Sequence, residues 1–329
     1  MDQLLQIASG YMPAASLGAA ARLRIADLLA DGPRPVSELA RDAGVHEDAL
    51  YRVLRALASA GIFTEIAPRT FANTEASELL RSGARGSVRD IVLWMADEFH
   101  LRTFAELMHS LLTGGTALKK LTGLESFEYF EKDRALGEVF NAAMTSFSAM
   151  LIPAVLEAYD FTGCGTLADI AGGHGFALTS VLQKHPEVRG ILFDLPHVAP
   201  GARARIESLG LAPRCEVIPG SFFEAVPAAD HYMMKNIIHD WDDERAVIIL
   251  RNCAQAMRGN GKVILIEAVI APGNQPHFAK WMDLEMLALP GGRERTEAEF
   301  AELFAAAGLR LARVVPTQSP VCVLEATRV

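Results

Sequence analysis

The chain of 329 residues is poor in cysteine, and we expect no apolar run long enough to span a membrane. Its cysteines (Cys164, Cys215, Cys253 and Cys322) lie far apart and match no metal-ligand spacing, so neither a zinc module nor a disulfide-stapled fold is expected. No apolar run approaches the roughly 20 residues that a membrane span requires, and the N-terminus lacks a basic-then-apolar signal pattern. The sequence therefore predicts a cytoplasmic protein with no membrane partner.

Positive charge is also scarce. The formal net charge of −9 argues against a nucleic acid or an anionic membrane as the partner. From Arg22 to Arg81 the chain has eight arginines and no lysine against nine acidic residues. This stretch nevertheless reads as short helices followed by an alternating ribbon, "FTEIAPRTFANT", a pattern typical of a winged helix.

Two uses of a winged helix are open. DNA recognition needs a basic stripe to neutralise phosphates, and the third helix, predicted from about Glu47 to Ala60, is mostly apolar after its first turns. A helical module that buries an apolar face against a second copy of the chain is favoured, which predicts a homodimer. We expect one helix over residues 17–31, a second helix capped by Ser37 and ended by Gly44, and a ribbon turn at Pro68.

The middle of the chain is helical and rich in methionine and phenylalanine, and we expect a loop at "TGGTALKKLTG", residues 113–123. From residue 161 onward strands alternate with helices and end in an antiparallel pair, which predicts a doubly wound, mostly parallel α/β sheet. The predicted domains are therefore 1–85 (winged-helix-like), 86–160 (helical linker) and 161–329 (Rossmann-like). Ligands of such sheets bind at the carboxyl ends of the strands.

A cofactor pattern opens this last region. In "LADIAGGHGFA" a buried strand is followed by Gly172, Gly173 and Gly175, which allow close backbone approach to a ligand. The next strand ends at Asp194, where a carboxylate suits a ribose diol. The dinucleotide spacing of glycines is not met and no phosphate-loop lysine follows, so the pattern favours an adenosyl cofactor over NAD or ATP. A tight turn with no ligand remains an alternative.

The motifs "DIAGGHG", "FDLPHV", "GSFFEAVPAAD", "MMKNIIHDWDDE", "GKVILIEAVI" and "PGGRERTEAEF" occur in this order. Together they resemble the plant-type S-adenosylmethionine-dependent O-methyltransferases, the family of caffeic acid O-methyltransferase and of many bacterial natural-product methyltransferases. The resemblance covers nearly the whole chain. It implies a Rossmann-like methyltransferase sheet with an N-terminal, mainly helical winged-helix dimerisation domain, S-adenosylmethionine as cofactor and S-adenosylhomocysteine as product.

The resemblance also implies site residues. The cofactor would be held by Ala171, Gly172, Gly173, Asp194, Ser221, Phe222 and Lys235, and the wall of an apolar acceptor pocket would be formed by Met95, Phe140, Met144, Phe147 and Met286. The chain departs from the family at three positions. Ala171 replaces a usual glycine, Ser221 replaces an acid that reads the adenine amine, and Asn236 replaces the tryptophan of plant enzymes.

The chemistry points to His239, which follows the fourth strand of the sheet. Methyl transfer to a phenol is aided by a base at the hydroxyl, and histidine titrates in the right range. The resemblance assigns Glu267 and Glu294 to orient it. Glu267 is independently unusual, because a charged residue in an apolar strand needs a partner. Glu294, which lies between two arginines, could instead be a member of a simple ion pair.

Other polar residues near these motifs have simpler interpretations. We expect Asp240 to N-cap the next helix, and the acids at 242–244 to occupy its first turn. His174 and His197 are expected to pack or to face solvent.

We predict an O-methyltransferase that acts on an aromatic hydroxyl of a small molecule and binds no metal. Two alternatives remain. One is a relative that binds S-adenosylmethionine but catalyses N-methylation, hydroxylation, decarboxylation or a pericyclic step. The other is a winged-helix regulator that senses a small molecule.

Overall fold

The structure, a computed structural model, describes residues 2–329. The described chain divides into two compact units: residues up to 105 together with 133–147, and residues 106–132 together with 148–329. The stretch 106–132 therefore groups with the C-terminal sheet. The division into 1–85, 86–160 and 161–329 stays a prediction.

The first unit is mainly helical. A small antiparallel sheet of order β1-β3-β2 packs with helices around buried Leu39, Leu54, Phe63 and Phe71. The elements are α1 (Asp2–Ala8), α2 (Tyr11–Arg22), α3 (Ile25–Leu28), β1 (Arg34–Pro35), α4 (Val36–Ala43), α5 (Glu47–Ser59), β2 (Phe63–Ala67), β3 (Thr70–Asn73), α6 (Glu75–Glu78), α7 (Arg89–Met95) and α8 (Glu98–Ala105). The ribbon β2–β3 has its turn after Ala67, as predicted.

Two local predictions in this unit are wrong. The single helix expected over 17–31 is broken at Arg24, whose backbone is left-handed with φ of 57°. Ser37 does not cap α4, because the helix already begins at Val36 and Pro35 occupies the N-cap position. The predicted stop at Gly44 is confirmed, since this glycine adopts the left-handed conformation that ends helices.

The second unit contains the large sheet with helices on both faces. Its helices are α9 (Leu107–Thr113), α10 (Ala117–Thr122), α11 (Ser126–Lys132), the end of α12 (Arg134–Ala158), α13 (Phe176–Lys184), α14 (Ala199–Ser208), α15 (Asp243–Ala256), α16 (Ala279–Ala288) and α17 (Glu297–Ala306). Its strands are β4 (Thr166–Ile170), β5 (Arg189–Asp194), β6 (Cys215–Pro219), β7 (His231–Lys235), β8 (Lys262–Glu267), β9 (Leu309–Pro316) and β10 (Cys322–Arg328).

The strand order within the described chain is β6-β5-β4-β7-β8-β10-β9. The strands from β6 to β8 are parallel, and β10 runs antiparallel to both β8 and β9. The predicted antiparallel pair at the C-terminus is therefore confirmed. The chain builds one half of the sheet outward from β4 to β6 and then crosses back to β7, which pairs with β4. The strand order therefore reverses between β4 and β7, and ligands of such sheets bind at this switch point.

Side chains of the central strands alternate between two apolar layers. Met234 and Leu265 belong to one layer, whereas Met233 and Ile264 belong to the other. All four are fully buried, as expected for parallel strands covered on both faces. Polar groups can then meet a ligand only where the strands end.

The loop expected at residues 113–123 is wrong, because α10 occupies most of it. Thr116 caps this helix by accepting a hydrogen bond from the Lys119 N–H at 3.3 Å, and Gly123 ends it in a left-handed conformation. Threonine before the helix and glycine after it are ordinary cap residues, so the signal was present in the sequence.

Contrary to our expectation of no such run, α12 is long and apolar enough by length and composition to cross a membrane. An 18-residue window within it has a mean hydropathy of 1.6. Long core helices pass the same test, so this finding is weak evidence for a membrane span.

Candidate active site

Five parallel strands deliver polar residues to one edge of the sheet. The glycine turn follows β4, and Asp194 ends β5. On the remaining strands, Ser221 follows β6, Lys235 ends β7 and Glu267 ends β8. Because parallel strands share a direction, these residues meet at the carboxyl edge although they are far apart in sequence.

The glycine turn is closely fitted to its surroundings. The Gly173 N–H donates to Asp194 Oδ2 at 2.7 Å, and both Gly173 and Gly175 have positive φ. A Cβ on Gly172 would lie 2.6 Å from Asp169 Oδ2, so only glycine fits there. Ala171 also has a left-handed backbone, with φ of 55°, a conformation that favours glycine.

Asp169 is a site residue that the sequence-based assignment left out. Its side chain is buried beneath Gly172, and Oδ2 has no hydrogen-bond partner among the described residues. Burial raises the pKa of this carboxyl to about 7. A buried acceptor directed at a glycine turn is suited to a ligand that approaches the backbone closely.

Asp194 is held in place by the backbone. Besides the Gly173 contact, its Oδ1 accepts the Leu195 N–H at 2.6 Å. Burial raises the pKa of this carboxyl, and these two N–H groups oppose the increase. Asp194 is thus oriented to accept hydrogen bonds at the end of β5.

Aromatic side chains continue the edge beyond β6. Trp241 lies edge-on to Phe222 and Phe223, with ring centroids at 5.8 Å and 4.8 Å, and it stacks on Phe127 at 5.6 Å. Ser221 Oγ accepts the Phe223 N–H at 3.3 Å, so its hydroxyl hydrogen remains available to a ligand. Trp241 is a second residue that the sequence-based assignment did not include, although it stands within the motif "HDWDDE".

Lys235 lies among acids at the end of β7. Burial lowers the pKa of its ammonium, and the carboxylates of Glu267, Asp169 and Asp240 oppose this decrease. Its Nζ donates to Asn236 Oδ1 at 3.4 Å. The Lys235 amine therefore lies close to the Asp169 carboxyl beneath the glycine turn.

His239 lies in a 3₁₀ turn (Ile238–Asp240) after β7, and its side chain is 7% exposed. Its Nδ1 is 2.8 Å from Glu294 Oε1 and 3.9 Å from Glu267 Oε2. A carboxylate can only accept, so Nδ1 carries the hydrogen of this short contact. The other ring nitrogen, Nε2, lies on the opposite side of the imidazole from this contact.

Glu267 is anchored from the opposite direction. Its Oε1 accepts the backbone N–H groups of Ile237 and Ile238, both at 2.9 Å. The residue therefore supports the turn that carries His239, and this explains a fully buried acid at the end of an apolar strand.

Glu294 reaches His239 because its loop lies directly against the histidine turn. A Cβ on Gly292 would overlap the backbone of His239 and Asp240, and the Arg293 N–H donates to the His239 carbonyl at 2.8 Å. Glu294 bonds His239, whereas the neighbouring arginines pair with Asp243. The alternative of a simple ion pair with those arginines does not apply.

Arg295 joins the two segments, and the sequence-based assignment did not include it. It is fully buried, and it donates to the carbonyls of Ile238 and Trp241 at 3.1 Å and 2.8 Å and to Asp243 Oδ1 at 2.7 Å. These contacts clamp the turn on both sides of His239.

The acids around the imidazole set its protonation. Burial alone would lower the pKa of His239, but the carboxylates of Glu294, Glu267 and Asp240 raise it above its ordinary value. Asp240 Oδ1 is 3.6 Å from Nε2, and burial raises the pKa of this acid to about 7.

The prediction that Asp240 caps the next helix is wrong. Asp242 occupies the N-cap position of α15 and accepts the Arg245 N–H at 2.8 Å. Asp240 instead lies in the 3₁₀ turn beside the imidazole, because the helix begins later than expected.

The sequence showed no metal-ligand cluster, but the fold assembles a group of suitable donors. One donor atom each from His239, Glu267 and Glu294 lies within 4.8 Å of the others. Glu267 follows His239 by 28 positions and Glu294 follows Glu267 by 27, so no local sequence motif indicates this cluster.

Comparison with known proteins identifies the family to which the chain belongs. A family model described as the O-methyltransferase domain matches residues 104–310, and one described as the O-methyltransferase dimerisation domain matches residues 5–83. The chain is 44% identical to the phenazine O-methyltransferase PhzM of Lysobacter antibioticus over 98% of this chain and 95% of that protein. The chain belongs to the O-methyltransferase family.

Solved structures agree. The crystal structure of LaPhzM, 44% identical, superposes with a TM-score of 0.96 over 100% of this chain and 99% of that one. The O-methyltransferase NcsB1 from neocarzinostatin biosynthesis, 35% identical with a TM-score of 0.83 over 97% of this chain and 96% of that one, was solved with S-adenosylhomocysteine and 1,4-dihydroxy-2-naphthoic acid. The predicted fold class, enzyme class and cofactor are thereby confirmed.

The residues at the sheet edge of this O-methyltransferase fit an S-adenosyl cofactor. The unpartnered Asp169 Oδ2 under a glycine turn, the oriented Asp194 carboxylate and the aromatic surface of Phe222 and Trp241 provide acceptors and an apolar face in adjacent positions. The individual roles of the predicted cofactor residues remain proposals.

The predicted pocket residues of the O-methyltransferase lie in different units. Met286 is buried on α16 of the second unit. In the first unit, Met95 of α7 is 43% exposed, and partly buried Phe140, Met144 and Phe147 follow one another along α12. The Phe140 ring lies edge-on to Trp94 with centroids 5.2 Å apart. Their role as a pocket stays a prediction.

The remaining histidines near the cofactor motifs have the expected surroundings. His174 is partly buried, with its ring against Gly201, and His197 is exposed. Among their described contacts, neither shows a hydrogen bond to a carboxylate like that of His239.

Proposed function

We propose that this enzyme methylates a phenolic hydroxyl of a small aromatic natural product, with His239 as the general base and without a metal. The observation that carries the proposal is the buried contact of 2.8 Å between His239 Nδ1 and Glu294 Oε1. It holds a hydrogen on Nδ1, so the ring in its neutral form presents its lone pair at Nε2.

Each residue of the site has its own role in the proposed methyl transfer. S-Adenosylmethionine supplies a methyl group on a sulfonium, and the residues at the carboxyl edge bind it. His239 Nε2 accepts the proton of the acceptor hydroxyl, and Glu294 stabilises the imidazolium that results. Glu267 and Arg295 fix the turn, so the base keeps its position. Such a base contributes about 10²- to 10⁴-fold to the rate.

Our assignment of an aromatic acceptor rests on the predicted apolar wall and on the family. Methionine and phenylalanine side chains suit a flat ring. The bound dihydroxynaphthoic acid of NcsB1 belongs to the same chemical class. We further propose a cytoplasmic homodimer assembled through residues 1–85, with no nucleic-acid partner.

The test is to incubate the protein with labelled S-adenosylmethionine and a panel of phenols, flavonoids and quinones in the presence of a chelator. We expect a methylated phenol and S-adenosylhomocysteine in equal amounts. With the best acceptor, His239→Ala should lower turnover by about 10²- to 10⁴-fold. It should bind S-adenosylhomocysteine as tightly as the unmodified protein does in calorimetry.

His197→Ala is the matched control, because His197 is exposed and lies near the cofactor motif. It should keep its rate within a few-fold. An unchanged rate for His239→Ala would refute the base assignment. Loss of methylation in chelator would refute metal independence, and a product methylated on nitrogen would favour the alternative reaction.

A further inference from the structure

The cluster behind His239 contains more acceptor capacity than its hydrogen bonds use. Glu267 Oε2 and Glu294 Oε2 are buried and have no hydrogen-bond partner among the described residues. Both side chains are at most 1% exposed. Buried carboxylate oxygens without partners are costly, and each one calls for a ligand or another explanation.

The nitrogen and oxygen atoms of this cluster that could bind a metal ion point toward one another. The backbone N–H groups of Ile237 and Ile238 hold Glu267 Oε1, so its unpartnered Oε2 points toward His239 Nδ1 at 3.9 Å. Glu294 approaches the same nitrogen from the loop that follows α16. One nitrogen and two carboxylates therefore converge within 4.8 Å.

This donor set has a recognisable preference. Zinc binds histidine nitrogen and carboxylate oxygen at about 2.0–2.2 Å, so tetrahedral ligand atoms lie roughly 3.4 Å apart. His239 Nδ1 is 2.8 Å from Glu294 Oε1 and 3.9 Å from Glu267 Oε2, and the three donor atoms all lie within 4.8 Å of one another, so the spacing is compatible with that value. An imidazole ligand favours zinc and similar transition ions over magnesium and calcium.

We propose that a divalent transition ion such as Zn²⁺ binds His239 Nδ1 together with Glu267 and Glu294, and that this binding switches the enzyme off. Coordination at Nδ1 displaces its hydrogen as a proton to solvent. In exchange Nε2 takes up a proton from solvent, so the ring stays neutral and its single N–H is now at Nε2. Nε2 is the atom that must accept the phenol proton, so the metal-bound imidazole has no free lone pair.

The binding site stands on the geometry alone, whereas the loss of activity rests on the proposed function. Binding is therefore measured separately. Metal-free full-length protein is titrated with Zn²⁺ in a calorimeter, and with Co²⁺ while its visible absorption is followed. Intensified Co²⁺ absorption reports a four-coordinate site with nitrogen and oxygen ligands.

We expect one cluster site per chain that is lost in Glu267→Gln and Glu294→Gln. Changes in the outer shell alone weaken metal sites by about 10- to 100-fold, so removal of a ligand should cost at least as much. Glu244→Gln is the matched control, because Glu244 is an exposed acid in the first turn of α15 and outside the cluster. It should bind Zn²⁺ as the unmodified protein does.

Folding of each variant is verified by S-adenosylhomocysteine binding. Equal Zn²⁺ affinity and Co²⁺ absorption in the unmodified protein and both glutamine variants would overturn the site. Zn²⁺ bound at the cluster with undiminished methylation would overturn the switch. Methylation that is absent from metal-free protein and appears with Zn²⁺ would overturn the switch and also the metal-independent function. A metal-free protein that methylates no phenol, with the Zn²⁺ site intact, would count against the proposed function only.

Discussion

Ala171→Gly tests whether the cofactor turn carries backbone strain. Ala171 has φ of 55°, and its N–H is fixed by a 2.7 Å hydrogen bond to the Phe193 carbonyl. A left-handed conformation costs a residue with a Cβ about 1–2 kcal/mol. Glycine at this position would remove that cost.

The greater conformational freedom of glycine in the unfolded chain reduces this gain in folding stability. Glycine loses about 0.5–1 kcal/mol more conformational freedom on folding than alanine does. The difference leaves a net stabilisation of about 0.5–1 kcal/mol. In a protein of this size we expect the melting temperature to rise by about 1–3 °C.

The assay is thermal unfolding followed by circular dichroism, with and without S-adenosylhomocysteine. Ala168→Gly is the comparison, because Ala168 is fully buried within β4 and does not have a positive φ. This change removes a packed methyl group and adds backbone freedom, so stability should fall by about 1 kcal/mol or more. A lower melting temperature for Ala171→Gly would refute the strain argument.

Three further outcomes follow from the site. Asp242→Ala removes the cap of α15 and should cost about 1 kcal/mol of stability in denaturant unfolding while the rate stays within about threefold; a large loss of rate with unchanged stability would contradict this. Gly292→Ala should abolish most turnover and lower the melting temperature, since its Cβ would overlap the His239 backbone; near-normal kinetics would show that the loop is not held there. Glu294→Gln should shift the rise of kcat/KM with pH to lower pH, because Glu294 raises the pKa of His239 and only the neutral ring accepts a proton; coincident pH profiles would refute this role.

The position of strands and helices in the second unit could be read from local patterns. Continuous apolar runs bounded by glycine and proline predict buried strands, and β4, β5, β7 and β8 are largely buried. Local errors occurred where neighbouring signals competed. Asp240 and Asp242 are both acceptable caps, and packing of the His239 turn against Gly292 decides between them.

The sequence alone determined which chemical groups are available: a glycine turn, an acid for a ribose, a histidine at a strand end and two glutamates. Their order in the chain also determined a doubly wound sheet, because alternating strands and helices with right-handed connections leave few other arrangements.

Only the tertiary structure decided how these groups interact. It directs Glu294 to Nδ1 rather than to its neighbouring arginines, and it places Arg295 across the His239 turn. It also leaves Asp169, Glu267 and Glu294 with unpartnered oxygens. The reason is physical: hydrogen bonding and burial depend on distances of a few ångströms between segments that are far apart in the chain. A one-dimensional pattern does not contain those distances.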